Sequence, residues 1–382
     1  MKRFFACLIF VSVILSTTSI PFFVYASPDA PSVSAECAVL IDASDGAILY
    51  EKNAHIKKGM ASTTKIMTAL VAAEALSSTL DTPYDTPEEA IGVEGSSIYL
   101  TEEDSLTPRQ LIYALMLASA NDAAEALAII SAGSVEAFAE MMNDRAEELE
   151  LDDTNFVNPH GLYDEDHYTT AYELALITVE ALCDPVLSEI AATYKTTIPQ
   201  GDKEHGRVLV NHNKLLRLYD GAIGVKTGFT KKTGRCLVSA AERNGLVLIA
   251  VTLNAPDDWN DHIKLLDFGF ENYEAVTIYE AGEFIYHQSV VGGKESYVVL
   301  SNSEPITFTL PKYKKSITRR VFLTGRFCYA PIKSGSVYGE IVCTANEKTA
   351  RSPLVALYSV EKAQRKGFWD TIISFFADIF KN

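Results

Sequence analysis

The sequence predicts an α/β fold: an antiparallel sheet carrying a cluster of helices, then a smaller all-β domain and an amphipathic terminal helix. Three observations predict it. Strand-like segments near 36–51 and 224–254 bracket a stretch of helical periodicity, which places the helices between early and late strands of one sheet. From about 275 to 358 the chain shows only short β runs divided by Gly and Pro. In 368–382 (FWDTIISFFADIFKN) the apolar residues fall within an arc of roughly 160° at helical spacing.

The elements follow in order. Lys2 and Arg3 precede the apolar run Phe4 to Leu15, then a polar break and Val24-Tyr25-Ala26. This charged, apolar, small-residue order reads as a secretory signal over 1–26, cut after Ala26. An uncleaved anchor is the competing reading, but the run is short for a ~20-residue span. Residues 36–51 predict two strands around a Ser44-Asp45-Gly46 turn. From Ser62 to about Ser77, Ile66, Leu70, Ala73 and Leu76 recur at helical spacing. Thr107-Pro108 opens a second helix through Leu111, Leu115 and Ala118, and others begin near Asp122, Ser134 and Tyr172. Gly224 to Thr230 predicts a strand. Arg235–Ala241 and Leu246–Asn254 predict a hairpin around Glu242-Arg243-Asn244-Gly245, and His262–Phe270 a closing helix. A main domain is thus expected over 27–274, an all-β domain over 275–360 and a membrane-association helix over 361–382.

Composition narrows the function classes. With 33 Lys and Arg against 50 Asp and Glu, a net charge of −17, the chain lacks the basic face that nucleic acid requires. The 48% hydrophobic content excludes disorder. Of six cysteines, Cys7 would leave with the signal, and Cys37, Cys183, Cys236, Cys328 and Cys343 are too few and too scattered for a disulfide framework. Cys328 and Cys343 could bridge adjacent strands, but separate buried thiols are the expected state. In the tail, Trp369 and four Phe oppose a polar side and follow the basic Lys362, Arg365 and Lys366, which suits a helix lying in a lipid interface. Docking of that helix on the protein's own body is the alternative.

Three short motifs carry the chemistry. Ser62-Thr63-Thr64-Lys65 opens the first long helix, Ser119-Ala120-Asn121 lies between two helices, and Lys226-Thr227-Gly228 lies on a strand. Each is weak alone, but all three in this order form the serine acyl-transfer set. Helical spacing i, i+3 puts Lys65 beside Ser62. A serine hydroxyl needs a neighbouring base, and a lysine amine serves once desolvation or the cation Lys226 lowers its pKa. Ser119 offers a proton relay, Asn121 an amide to hold Lys65 or substrate, and Lys226 and Thr227 a charge and a donor for a substrate carboxylate. The plain alternatives are a helix-capping Ser62 with a solvated Lys65, capping by Asn121, and a polar strand edge at Lys226.

With these motifs, the sequence resembles the low-molecular-mass penicillin-binding proteins, the serine-type D-alanyl-D-alanine carboxypeptidases, over nearly its whole length. The resemblance rests on ASTTKIMTAL at 61–70, LASANDAAEALA at 117–128, NPHGL at 158–162, HYTTAYELALIT at 167–178 and GVKTGFT at 224–230. It continues through SVYGEIV, PLVAL and the amphipathic tail. It implies a serine β-lactamase/penicillin-binding-protein-like domain, Ser62 as nucleophile, Lys65 as base, and Ser119 with Asn121 as the second element. Lys226, Thr227 and Gly228 would be the third, and the backbone N–H groups of Ser62 and Phe229 the oxyanion hole. Ala120 stands where many relatives have Gly, and Phe229 where several have His. The implied activity removes the terminal D-Ala from peptidoglycan stem peptides, with β-lactams as inhibitors, no cofactor, and a location outside the cytoplasmic membrane, held through 367–382.

Three other readings fit the residues less well. A secreted serine β-lactamase would carry an ExxxN element, absent from ELELDDTNFVNPHGL at 148–162, and would lack the β domain. A catalytically silent wall-binding or sensor protein is opposed by the intact Ser62, Lys65, Ser119 and Lys226. A metalloenzyme finds no HExxH or paired Cys spacing. Asp164, Asp166 and His167 form the one local cluster, read as a solvated loop.

Overall fold

The chain enters the fold along β1 (Cys37–Asp42), a strand buried at every position because both its faces are covered. Cys37, Val39 and Ile41 enter one core, and Ala38 and Leu40 the other, the period-two alternation of a strand. This computed structural model describes residues 29–201, 203–313 and 315–364. The expected signal at 1–26, with Cys7, and the expected membrane helix at 367–382 lie outside the described residues.

A turn at Gly46 (φ +69°) returns the chain through β2 (Ile48–Lys52). A 3-10 turn over Ala61–Thr64 then runs into α1 (Lys65–Ala75). After the short pair β3 (Tyr84–Asp85) and β4 (Ser105–Leu106) come α2 (Pro108–Leu117), α3 (Asn121–Ala132) and α4 (Val135–Glu148). Next are α5 (Ala171–Cys183), α6 (Pro185–Ala192), the hairpin of β5 (Lys195–Ile198) and β6 (Arg207–Val210), and α7 (Leu215–Leu218). Strands β7 (Ala222–Thr230), β8 (Gly234–Arg243) and β9 (Leu246–Leu253) lead to α8 (Asp258–Asn272).

The main sheet has the order β2-β1-β9-β8-β7, with every pairing antiparallel. One face carries α1, α2, α3 and α5 over a core that includes Ile66, Leu115 and Val251. The other face carries α8, with Leu265 and Leu266 against Leu40 and Leu248. β7 is an edge strand, so its outer side is open to the helical layer and to ligand.

Local chemistry explains most boundaries. Thr107 and Gln110 form a reciprocal capping box at the start of α2, with Pro108 in the first helical position. Asn244 and Gly245, at φ +53° and +78°, close β8 onto β9 as a two-residue turn, tighter than the four-residue turn expected. Two expectations about helices are corrected. Ser62 does not open the α-helix, because Ala61 is left-handed (φ +50°) and the first turn is wound 3-10, so α1 begins at Lys65. The closing helix starts at Asp258, four residues before the expected His262.

Beyond Asn272 no helix occurs among the described residues. β10 (Tyr273–Tyr279), β11 (Ile285–Val291), β12 (Tyr297–Asn302) and β13 (Ile306–Pro311) come first. β14 (Ile317–Leu323), β15 (Cys328–Tyr329), β16 (Val337–Ala345) and β17 (Lys348–Ala356) follow. Six of them form a sheet in the order β14-β16-β17-β12-β11-β15, and β10 pairs with β13. Their shared core includes Val298, Leu300, Phe308, Ile341 and Leu354. Cys328 and Cys343 lie in this core as free, buried thiols, and Cys183 is a free thiol at the surface. The β unit meets the main one through Lys312 N–H on the Asn272 carbonyl (2.9 Å) and Lys348 Nζ on Asp45 (2.7 Å).

Candidate active site

Lys65 is the first residue of α1 and is completely buried, an expensive place for an amine. Its Nζ lies 2.7 Å from Asn121 Oδ1, 2.7 Å from the His160 carbonyl oxygen and 3.1 Å from Ser62 Oγ. None of these partners is charged. Burial holds the Lys65 pKa far below the ordinary lysine value, and the nearby Lys226 pushes it further down against the opposing pull of Asp122. Asp122 is itself occupied, accepting from Ser97 Oγ and from the Ile98 and Leu100 amides, so it pins the 96–100 loop beside the site.

The count of partners fixes the direction of the Ser62 contact. A neutral amine has two N–H donors and one lone pair. Asn121 Oδ1 and the His160 carbonyl are pure acceptors and take both donors. The lone pair is left for Ser62, whose hydroxyl then donates to Lys65 Nζ.

Ser119 sits between α2 and α3 in a left-handed conformation (φ +59°), which turns its side chain into the cleft. Its Oγ lies 3.0 Å from Lys226 Nζ. Lys226 is also buried and donates to the Thr227 carbonyl (2.9 Å), and desolvation lowers its pKa to about 7. Asn121 caps no helix. Its Oδ1 accepts from Lys65 and its Nδ2 donates to the Glu94 carbonyl (2.6 Å), so the capping alternative fails. Space at Gly228 is tight: a Cβ there would lie 3.0 Å from the Thr63 amide nitrogen and 3.1 Å from both Ser62 N and Met60 O. β7 therefore lies directly against the turn that holds Ser62.

A cleft of about 330 Å³ is lined by Ser62, Ser119, Thr227, Gly228 and Phe229. The structure thus brings the three motifs to one place. It also adds groups that sequence reasoning passed over. Ser96, His212, Arg235 and Trp259 line the same cleft, and Arg235 sits 5.9 Å from the Phe229 ring. None of the four belongs to the three motifs, so no spacing in the sequence marked them. A larger cavity of about 640 Å³ lies between β2 and the β unit and holds none of the motif residues.

The loop that precedes α5 is only half solvated. Asp164 and Asp166 are exposed as expected, but His167 is buried, with Nε2 2.7 Å from Thr64 Oγ1 and Nδ1 accepting the Val157 amide at 3.1 Å. Its pKa falls to about 4 because of that burial. Among the described residues no three His, Cys, Asp or Glu side chains converge as metal ligands.

Comparison with known proteins gives two family matches. Residues 25–257 match the family model described as D-alanyl-D-alanine carboxypeptidase, and residues 273–362 match that described as Penicillin-binding protein 5, C-terminal domain. The chain is 35% identical over 343 residues to D-alanyl-D-alanine carboxypeptidase DacF of Bacillus subtilis (strain 168), covering 86% of each chain. It is 33% identical over 370 residues to D-alanyl-D-alanine carboxypeptidase DacC of Escherichia coli (strain K12), covering 92% of this chain and 91% of that one. Penicillin binding protein 5 from Haemophilus influenzae superposes with a TM-score of 0.71 at 30% identity, over 88% of this chain and all of that one.

Proposed function

The chain belongs to the D-alanyl-D-alanine carboxypeptidase family, and from that membership we propose how its own residues carry out the reaction. It is a serine D-alanyl-D-alanine carboxypeptidase that removes the terminal D-alanine from peptidoglycan pentapeptide stems and binds penicillin. The observation that carries the mechanism is the buried Lys65 amine, with two acceptors on its N–H groups and its third partner the Ser62 hydroxyl at 3.1 Å.

Lys65 Nζ takes the Ser62 proton as Oγ attacks the carbonyl carbon of the D-Ala–D-Ala peptide bond. The N–H groups of Ser62 and Phe229 receive the negative charge that develops on the carbonyl oxygen. Collapse breaks the C–N bond, and the proton that Lys65 took from Ser62 passes by way of the Ser119 hydroxyl to the leaving amine, which returns Lys65 to its neutral form. Free D-alanine departs. Water then attacks the acyl-enzyme, Lys65 takes a proton from it, and Ser62 is released with its hydroxyl restored. Lys226 and Thr227 hold the substrate's terminal carboxylate, with Asn121 fixing Lys65.

A β-lactam presents a strained amide to the same nucleophile. Mass spectrometry of the penicillin-treated protein should show one adduct on Ser62 that is absent from Ser62→Ala. An adduct that persists in the variant, or none in the natural protein, would overturn the assignment. Release of free D-alanine from a stem pentapeptide, which an adduct alone does not report, separates this reading from a silent sensor.

The enzyme works outside the cytoplasmic membrane, exported by 1–26 and held peripherally by 367–382. The apolar arc of that segment and the basic residues before it support this reading. No described helix is long and apolar enough to cross a membrane. Deleting 367–382 should leave active enzyme that no longer sediments with anionic lipid vesicles. Undiminished sedimentation would refute the tail's role.

A further inference from the structure

We propose that His167 and Thr64 are positioning residues that set the oxyanion hole, by holding the peptide unit whose far side is the Ser62 N–H. The inference rests on Ser62 as nucleophile and amide donor, and adds what aims that donor.

A trans peptide is planar, with its carbonyl oxygen and amide hydrogen on opposite sides. Whatever fixes the Ala61 carbonyl therefore fixes the direction of the Ser62 N–H. Thr64 Oγ1 lies 2.8 Å from the Ala61 oxygen and donates to it. His167 Nε2 lies 2.7 Å from the same Thr64 oxygen. The proton positions follow from one further contact. The Val157 amide donates to His167 Nδ1 (3.1 Å), so the neutral ring carries its proton on Nε2 and donates to Thr64. The chain thus runs one way, from the imidazole N–H to the Thr64 hydroxyl, to the Ala61 carbonyl and across the peptide to the Ser62 N–H. Each link polarises the next, so the amide is both aimed and strengthened as a donor.

Two features show that this peptide needs holding. Ala61 is left-handed at φ +50°, a conformation that an alanine adopts only under constraint. Gly161 (φ +85°) is pressed against it so closely that a Cβ would stand 1.9 Å from the Ala61 oxygen and 2.8 Å from Thr64 Oγ1. Thr64 and His167 are both buried, which protects the chain of bonds from water.

The test compares acylation by a D-alanyl ester substrate and its thionoester analogue in the natural protein, Thr64→Val, Thr64→Ser, His167→Leu and His167→Gln. Folding is checked by thermal melting. A hole aimed at oxygen discriminates against the larger, weaker acceptor sulfur. Thr64→Val and His167→Leu should lower the ester kcat about ten-fold, below the 10²–10³ that losing a whole donor costs, with KM unchanged. The ester-to-thionoester ratio should shrink with it. Thr64→Ser and His167→Gln, which keep a donor, should restore the ratio. Equal losses on both substrates, or a folded Thr64→Val with the natural ratio, would overturn the proposal. If the natural protein forms no penicillin adduct at Ser62, the underlying mechanism fails instead, which keeps the two failures distinct.

Discussion

Lys65 must be buried to act as a base and hydrogen-bonded to be buried. An ammonium there would be bonded only to neutral oxygens, and desolvation together with the nearby Lys226 outweighs the opposing pull of Asp122, so the neutral amine is favoured. The sign of the pH dependence follows. As pH falls through the depressed Lys65 pKa, the base gains a proton and acylation slows, so the rate climbs with pH along a limb centred well below 10.5. Replacing Lys226 with Met removes the second cation and lets Lys65 keep its proton to higher pH. Penicillin acylation rates across pH should show that limb displaced upward in Lys226→Met, and an unmoved or lowered limb would contradict the coupling. Ser62, Lys65, Ser119, Asn121 and Lys226 were legible in the sequence because their chemistry resides in their side chains. The His160 carbonyl was not, since a backbone oxygen can belong to any residue. Nor was the burial of His167, which arises only when its loop folds back over Thr64.

Two of the close approaches between the elements that build the site are made at glycines. Gly228 brings β7 against the Ser62 turn, and Gly161 brings the 158–162 loop against Ala61. Gly161→Ala places a methyl group inside the Ala61 carbonyl and forces a left-handed alanine, a strain of about 1–3 kcal/mol before any displacement. That variant should melt several degrees lower and acylate at least ten-fold more slowly, because its own relief moves the Ser62 peptide. A natural melting temperature and rate, measured by calorimetry and penicillin binding, would show that the loop yields instead. Long periodic helices such as α2 and α5, and the β8–β9 hairpin with its Asn-Gly turn, could be read from the sequence because pattern and turn chemistry agree. β3, β4, β5, β6 and α7 could not, being two to four residues long and specified by what they pack against. The 3-10 turn at Ser62 was hidden for a related reason: the helical periodicity of α1 runs into it, and only the contact with Gly161 shows where the helix must stop.

On the scale of the whole molecule, three buried histidines tie both faces of the main sheet to pH. His160 and His167 lie under α1 on the active-site side, with pKa values lowered by burial to about 3 and about 4. His262 lies behind the sheet on α8, bonded to Ser239 Oγ on β8 (2.5 Å) and Thr252 Oγ1 on β9 (2.9 Å), and burial lowers it to about 3. All three stay neutral when folded and titrate near 6.5 when unfolded. Between those values the unfolded chain binds more protons, so the histidines' contribution to stability is fully present above pH 6.5 and is lost as pH falls toward 3. Asp104 extends the loss lower. Burial alone would raise it, but hydrogen bonds from Arg207 and from the Thr101 and Gly201 amides bring it to about 2, so its contribution fades below the ordinary carboxylate range. Unfolding free energies should therefore fall more steeply below about pH 6.5 than between pH 7.5 and 6.5. His262→Gln removes one ionisation while leaving an amide between Ser239 and Thr252. It should be less stable than the natural protein at pH 7.5 yet lose stability more slowly on acidification, so that the two curves converge. Because His262 faces Ser239 and Thr252 and does not line the cleft, the penicillin acylation of this variant at pH 7.5 should match the natural rate. Parallel curves would show that His262 does not contribute to the acid limb, and the slope would then belong to the histidines beside the active site.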